Sequence, residues 1–193
     1  MLGTSLKIAI RFTLVTTLLL GLAYPLLITG FAQLALKKQA NGQLITRDGT
    51  VIGSSLIGQN FSSDKYFHSR PSAAGNGYDA ANSSGSNYAQ SSQKLVTRIE
   101  GDTAKAIKDN PSQPVPIDLV TASGSGLDPD ITPAAAAYQI HRVAQSRQLH
   151  DEDVTRLVAD HTTRRQFGFL GEPRVNVLEL NLALDELSKA SQD

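Results

Sequence analysis

Residues 12–36, from Phe12 to Leu36, carry no charged side chain. Nothing else in the chain narrows its possible structures as far. At 1.5 Å rise per residue the run makes roughly 37 Å of helix, against a hydrocarbon core of about 30 Å. Such a segment crosses a bilayer once, with some tilt. Arg11 bounds it on one side and Lys37-Lys38 on the other, so cationic heads reach both surfaces. A cleaved secretory signal is the rival reading, with Lys7 and Arg11 as its basic region and Gly21-Leu22-Ala23 as its cleavage site. The apolar run continues well past Ala23, which favours a retained anchor. Pro25 removes one backbone hydrogen bond and predicts a kink. Gly21 and Gly30 lack the GxxxG spacing of a strong helix-pairing face.

The expected organisation is a short cytoplasmic N-terminus (1–11), a transmembrane helix (12–36) and one extracytoplasmic soluble domain (37–193). Flanking charge nearly balances. The inside placement of the N-terminus rests on the ease with which long C-terminal domains are translocated. Residues 1–47 carry a net +5, and the remainder, with 13 basic and 18 acidic residues, carries −5. A mildly acidic domain repels polyanions, which argues against a nucleic-acid partner. The absence of cysteine excludes disulfides, thiolate metal sites and a Cys nucleophile.

Within the soluble part, residues 44–57 read as a hairpin around Asp48-Gly49. Leu44-Ile45 form one arm, Val51-Ile52 and Leu56-Ile57 the other. Residues 68–92 are rich in Ser, Asn, Gly and Ala, and 82–87 resemble a flexible linker. An amphipathic helix follows, with Leu95, Ile99, Ala106 and Ile107 on its apolar stripe, stopped by Asn110-Pro111. Ile117-Asp118-Leu119-Val120 reads as a short strand. Thr132 is an N-cap with Pro133 at the first helical position, opening a helix to about 148. That helix buries Ala136, Ile140, Val143 and Ala144 and shows Gln139, Arg142 and Ser146 on its other side. A third helix starts near Asp151, with Val154, Leu157 and Val158 as its core face. Residues 175–187 fit both periods, and length favours helix. Helices outnumber strands and gather towards the C-terminus, so the fold class is α+β.

Catalytic motifs are missing. There is no GxxxxGK[ST] and no GxSxG, and the four histidines show no HxxxH or HExxH spacing. Ser123-Gly124-Ser125-Gly126 precedes a helix N-terminus, where backbone N–H groups can hold an anion. No Lys follows it, and Asp128 and Asp130 repel phosphate, so a structural turn is the stronger reading and a ligand or partner contact the weaker. Between Arg164 and Arg174, two aromatics (Phe167 and Phe169), three arginines and two glycines give two equal readings: an interface loop, or phenylalanines plugging the core beneath solvated arginines.

The order of several blocks resembles the C subunit of the bacterial high-affinity potassium-transporting ATPase, the Kdp complex. After the single span come Gly53-Ser54-Ser55-Leu56-Ile57-Gly58-Gln59-Asn60-Phe61 and Tyr66-Phe67-His68-Ser69-Arg70-Pro71-Ser72-Ala73. The most specific blocks are Ser123–Pro129, Ala137–Ala144 and Gly171–Leu178. The chain departs from the family at Ser83–Tyr88, where Ser-Gly-Gly-Ser-Asn-Leu is usual, and at Asp130-Ile131-Thr132, where His-Ile-Ser is usual. The resemblance implies a single-pass protein of the bacterial cytoplasmic membrane, not an enzyme by itself. Its implied partners are an ATP-hydrolysing P-type subunit, a potassium-selective channel-like subunit and a small single-span subunit. It also implies a catalytic chaperone that raises the ATPase subunit's affinity for ATP. ATP is thus implied for the complex, and neither cofactor nor metal is expected on this chain. Candidate ligand or subunit contacts are Ser123, Gly124, Ser125, Gly126, Asp128, Gln139, Arg142, Phe167, Phe169 and Arg174. Direct nucleotide binding by the 123–130 loop and the Gln139/Arg142 face is a second expectation, and a membrane-anchored sensor or solute-binding domain a third.

Overall fold

The computed structural model describes residues 2–190. The chain divides after Ile52 into two units. The first is dominated by a helix long and apolar enough to cross a membrane, Gly3–Ala35, with none of its most apolar stretch buried. It therefore starts well before the expected boundary at Phe12, because Lys7 and Arg11 do not interrupt helical backbone. It is built from α1 (Leu2–Thr16), a π-helical stretch (Thr17–Ala23) and α2 (Tyr24–Ala35). The break expected at Pro25 takes this π form. The wide turn falls where the pyrrolidine ring would strike the Gly21 carbonyl four residues back, and the Tyr24 N–H reaches instead to Leu19, five back. A short helix α3 (Lys37–Ala40) follows a bend at Leu36.

Strands β1 (Leu44–Arg47) and β2 (Thr50–Ser54) make the expected hairpin, with Asp48 and Gly49 both at positive φ. The second arm stops at Ser54. Leu56 and Ile57 lie outside it in a turn closed by the Ile57 N–H on the Ser54 carbonyl.

The second unit is α+β, as expected. It holds helices α4 (Gln93–Asp109), α5 (Pro133–Arg147), α6 (Asp151–Asp160) and α7 (Val177–Ala190) and a small antiparallel sheet. That sheet comprises β3 (Asp130–Ile131), β4 (Thr162–Thr163) and β5 (Arg174–Asn176), in the order β3-β5-β4. Thr132 caps α5 by accepting from the Ala135 N–H. Gln148, in the left-handed region, ends it. The core is one cluster drawn from β3, α5, α6, β5 and α7, in which Val143, Val154, Val175, Leu180 and Leu184 are fully buried with Phe67. Three sequence expectations change. Ile117–Leu119 is one turn of 3-10 helix, not a strand, since Pro116 sets its start and Asp118 turns inward to accept from the Thr132 N–H at 2.6 Å. Ile107 is 46% exposed and lies off the buried side of α4. The ambiguous C-terminal segment begins with β5 before becoming α7.

Candidate functional site

The predicted site residues fall into three places. The first is the loop Ser123–Asp128, which ties down the stretch that reads as a linker. The Ser84 N–H and the Ser83 hydroxyl both donate to the Ser125 carbonyl, at 2.9 Å each. The Ser72 hydroxyl donates to the Gly126 carbonyl at 2.6 Å. Gly126 has φ +66°, and a Cβ there would come within 2.5 Å of the Ser84 carbonyl and 2.7 Å of the Ala74 nitrogen. Glycine is required by both space and conformation. Asp128 pairs with Arg70 at 2.8 Å, and its other oxygen accepts from the Asp130 N–H. Ser123 is buried, while Gly124 is open to solvent. The glycine-rich loop thus holds chain against chain, and its carboxylate is already matched to a guanidinium.

The second place overturns the expectation that Gln139 and Arg142 form an outward polar face. Gln139 is 2% exposed and Arg142 8%. The Gln139 side-chain oxygen accepts from the His68 N–H at 2.8 Å, and its nitrogen donates to the His68 carbonyl at 3.1 Å. The Arg142 guanidinium donates to the carbonyls of Asp64 and Tyr66, at 2.6 and 3.1 Å. Its Nε lies 3.2 Å from the Asp109 carboxylate. From α7, Asn181 repeats the pattern one residue back, accepting from the Phe67 N–H at 2.9 Å and donating to the Phe67 carbonyl at 3.0 Å. Two amide side chains therefore act as strand partners for extended backbone that has no neighbouring strand, satisfying groups that would be costly to bury unpaired. Arg147 completes the grip. Its Nε donates to the Lys65 carbonyl at 2.6 Å, its guanidinium lies 4.6 Å from the Tyr66 ring centre, and it pairs with Asp185 at 2.8 Å. Asn181 and Arg147 were not singled out from the sequence. The signal available was an Asn between Leu180 and Leu182, on the apolar stripe of α7.

Burial and the nearby Arg142 charge hold His68 below its ordinary 6.5, and its Nε2 faces the Ser63 carbonyl at 3.1 Å. His68 lines a polar cleft of about 270 Å³ with Arg70, Tyr78, Lys105, Tyr138 and Gln139. Burial pushes Tyr78 up to about 12, and its hydroxyl donates to the Arg70 carbonyl.

The third place is the segment from Arg164 to Arg174, which rejects the core-plug reading. Phe167 is 87% exposed and Phe169 70%. The segment is a tight hairpin in which Gln166 and Leu170 form a bridge, with Phe167, Gly168 and Gly171 at positive φ. At its base, Arg174 pairs with Asp130 at 3.4 Å across the outward face of the small sheet. Burial raises the Asp130 carboxyl, against the pull of Arg174. A cleft of about 510 Å³ opens there between Ile117, Asp130, Leu170 and Arg174. Among the described residues, no group of three or more acidic or imidazole side chains is placed to hold a metal.

Comparison with known proteins places these residues in context. Residues 6–186 match the family described as K+-transporting ATPase, c chain. A potassium-transporting ATPase KdpC subunit of Koribacter versatilis is 56% identical over 177 residues, which is 92% of each chain. One from Acidobacterium capsulatum is 56% identical over 182 residues, 94% of this chain and 98% of the relative. One from Gemmatimonas aurantiaca is 57% identical over 188 residues, 96% and 94%.

Proposed function

Because the chain belongs to the KdpC family, the c chain of K+-transporting ATPases, and so works with other Kdp subunits, we propose that it is a non-catalytic accessory subunit that assembles the pump. In this reading the apolar helix anchors the chain in the bacterial cytoplasmic membrane with its N-terminus inside. The domain lies outside and docks beside the potassium entrance. Its partners are the ATP-hydrolysing P-type subunit, the channel-like subunit and the small single-span subunit. The effect on ATP affinity, a catalytic-chaperone role, travels through the membrane subunits as a coupling free energy. A typical coupling of about 1–3 kcal/mol changes affinity roughly 5–150-fold without any nucleotide on the accessory chain.

One observation carries the indirect route. The two residues best suited to a nucleotide, Gln139 and Arg142, are buried and committed to the backbone of residues 64–68. A phosphate would have to displace those bonds and strand part-buried carbonyls and an N–H. The test is a complex carrying the chain truncated after Ala40. Loss of potassium uptake or of subunit co-purification is expected, and full uptake removes the proposal. Protease protection on intact spheroplasts reads the side of the domain separately. Binding of labelled ATP to the purified full-length chain at millimolar concentration would replace indirect coupling with direct contact.

A further inference from the structure

The tip of the 164–174 hairpin puts three large apolar side chains into solvent within four residues: Phe167, Phe169 and Leu170, the last 47% exposed. An apolar cluster this prominent marks an interaction surface. Its backbone separates the possible occupants. Gln166 and Leu170 exchange both N–H···O=C bonds at 2.9 Å, the Gly168 N–H donates to the Arg165 carbonyl, and the Phe169 N–H donates to the Gln166 carbonyl. Four donors at the tip are thus paired within the hairpin. Such a loop keeps those groups paired at the headgroup–acyl boundary, where water and headgroups meet the others. Docking by strand addition would instead need open N–H and C=O groups.

Charge points the same way. Residues 164–174 hold three arginines against Glu172, although the chain beyond Arg47 is acidic as a whole. Arg165 is matched to Glu172 at 2.6 Å, which leaves Arg164 as the leading cation behind the aromatic tip. A cationic neck under an apolar tip complements an anionic headgroup layer over acyl chains. A bilayer is also at hand, since the apolar helix Gly3–Ala35 is long enough to hold the chain at one.

We propose that this hairpin is a lipid-binding loop: Phe167, Phe169 and Leu170 enter the headgroup–acyl boundary of an anionic leaflet, and Arg164 holds a headgroup phosphate. The loop is a second membrane attachment, distinct from the N-terminal helix.

The absence of cysteine makes the test direct. Phe167→Cys carries an environment-sensitive fluorophore in the full-length chain, reconstituted in vesicles containing phosphatidylglycerol. Glu152→Cys, at an exposed position of α6, is the comparison. Lipid-borne nitroxide should quench the label at 167 roughly threefold more than that at 152, as interfacial burial requires, and aqueous iodide should reverse the order. Adding Arg164→Gln should weaken the lipid quenching. A Phe169→Cys label repeats the reading should Phe167 prove essential to the tip. Equal quenching at the tip and at 152 overturns the proposal. Protection from iodide that appears only in the assembled complex, without lipid quenching, also overturns it and assigns the tip to a partner subunit. Co-purification of the other subunits, scored on the same variants, reads the accessory-subunit assignment independently.

Discussion

Gln139 brackets the peptide of His68. Its side-chain oxygen accepts from that residue's N–H at 2.8 Å while its nitrogen donates to the same residue's carbonyl at 3.1 Å. Neither bond can be replaced by water, because Gln139 is 2% exposed. Gln139→Leu fills the space but leaves both backbone groups unpaired. It should lower the stability of the full-length chain by about 2–6 kcal/mol, from roughly 1–3 kcal/mol per stranded group. Thermal denaturation in detergent checks this. A variant that melts like wild type but no longer binds labelled ATP that the wild-type chain does bind would show that Gln139 acts on nucleotide instead.

Arg142 gives the companion case. Its guanidinium serves two carbonyls and Asp109 at once, and burial pushes its own pKa down against the pull of Asp109 and Asp64. Arg142→Met retains much of the apolar stem but strands the Asp64 and Tyr66 carbonyls. About 1–3 kcal/mol of stability should be lost, in the range for hydrogen bonds to a charged group. Arg142→Lys should recover only part of it, since an ammonium cannot present the planar fork. Denaturant titration of the two variants distinguishes the outcomes.

Gly124 and Gly126 form a matched pair within one loop. An added Cβ at Gly124 meets open space, whereas at Gly126 it meets the Ser84 carbonyl and the Ala74 backbone, at φ +66°. Gly124→Ala should change stability by no more than about 0.5 kcal/mol. Gly126→Ala should cost about 2 kcal/mol or more, through strain and the parting of 72–85 from the loop. Equal melting temperatures for the two variants would refute the tying role of Gly126.

His68 sets a pH dependence with a definite sign. Its folded pKa is held below 6.5 by burial and by Arg142, so the unfolded chain binds the proton more readily. The contribution to stability is fully present above 6.5 and is lost as pH falls from there through the lower folded value. Asp130, whose folded pKa is raised, works in the opposite direction, the folded form taking its proton first. Stability should therefore be compared between wild type and His68→Asn across pH 7 to 5. The wild-type chain should weaken over that interval by more than the variant does. Parallel curves would remove the assignment.

Phe167 and Phe169 are exposed, so Phe167→Ser with Phe169→Ser should leave thermal stability within about 1 kcal/mol, at roughly 0.5 kcal/mol for each surface site. A large drop in melting temperature would mean the rings pack somewhere.

The helices were readable because local signals suffice for them. Thr132-Pro133 opens α5, three acids open α6, and Asn110-Pro111 ends α4. The apolar span needed only its length and lack of charge. The small sheet was not readable in that way, because strands of two or three residues carry no periodicity. The error over Gln139 and Arg142 has a different origin. Helical spacing correctly put them on one stripe, but it cannot say what packs there. Their partner is bare backbone some 70 residues earlier in the chain, which leaves no apolar signature. The exposure of Phe167 was undecidable for a similar reason, since an interface and a core ask for the same ring.

The wide turn at Thr17–Ala23 rephases the anchor. Every surplus residue wound into a helix swings all that follows by about 100° around the axis. A stripe lining up with a neighbouring helix on one side of that turn will miss the same neighbour on the other. The two halves of this apolar rod accordingly offer separate seams, like a key cut differently on its two edges.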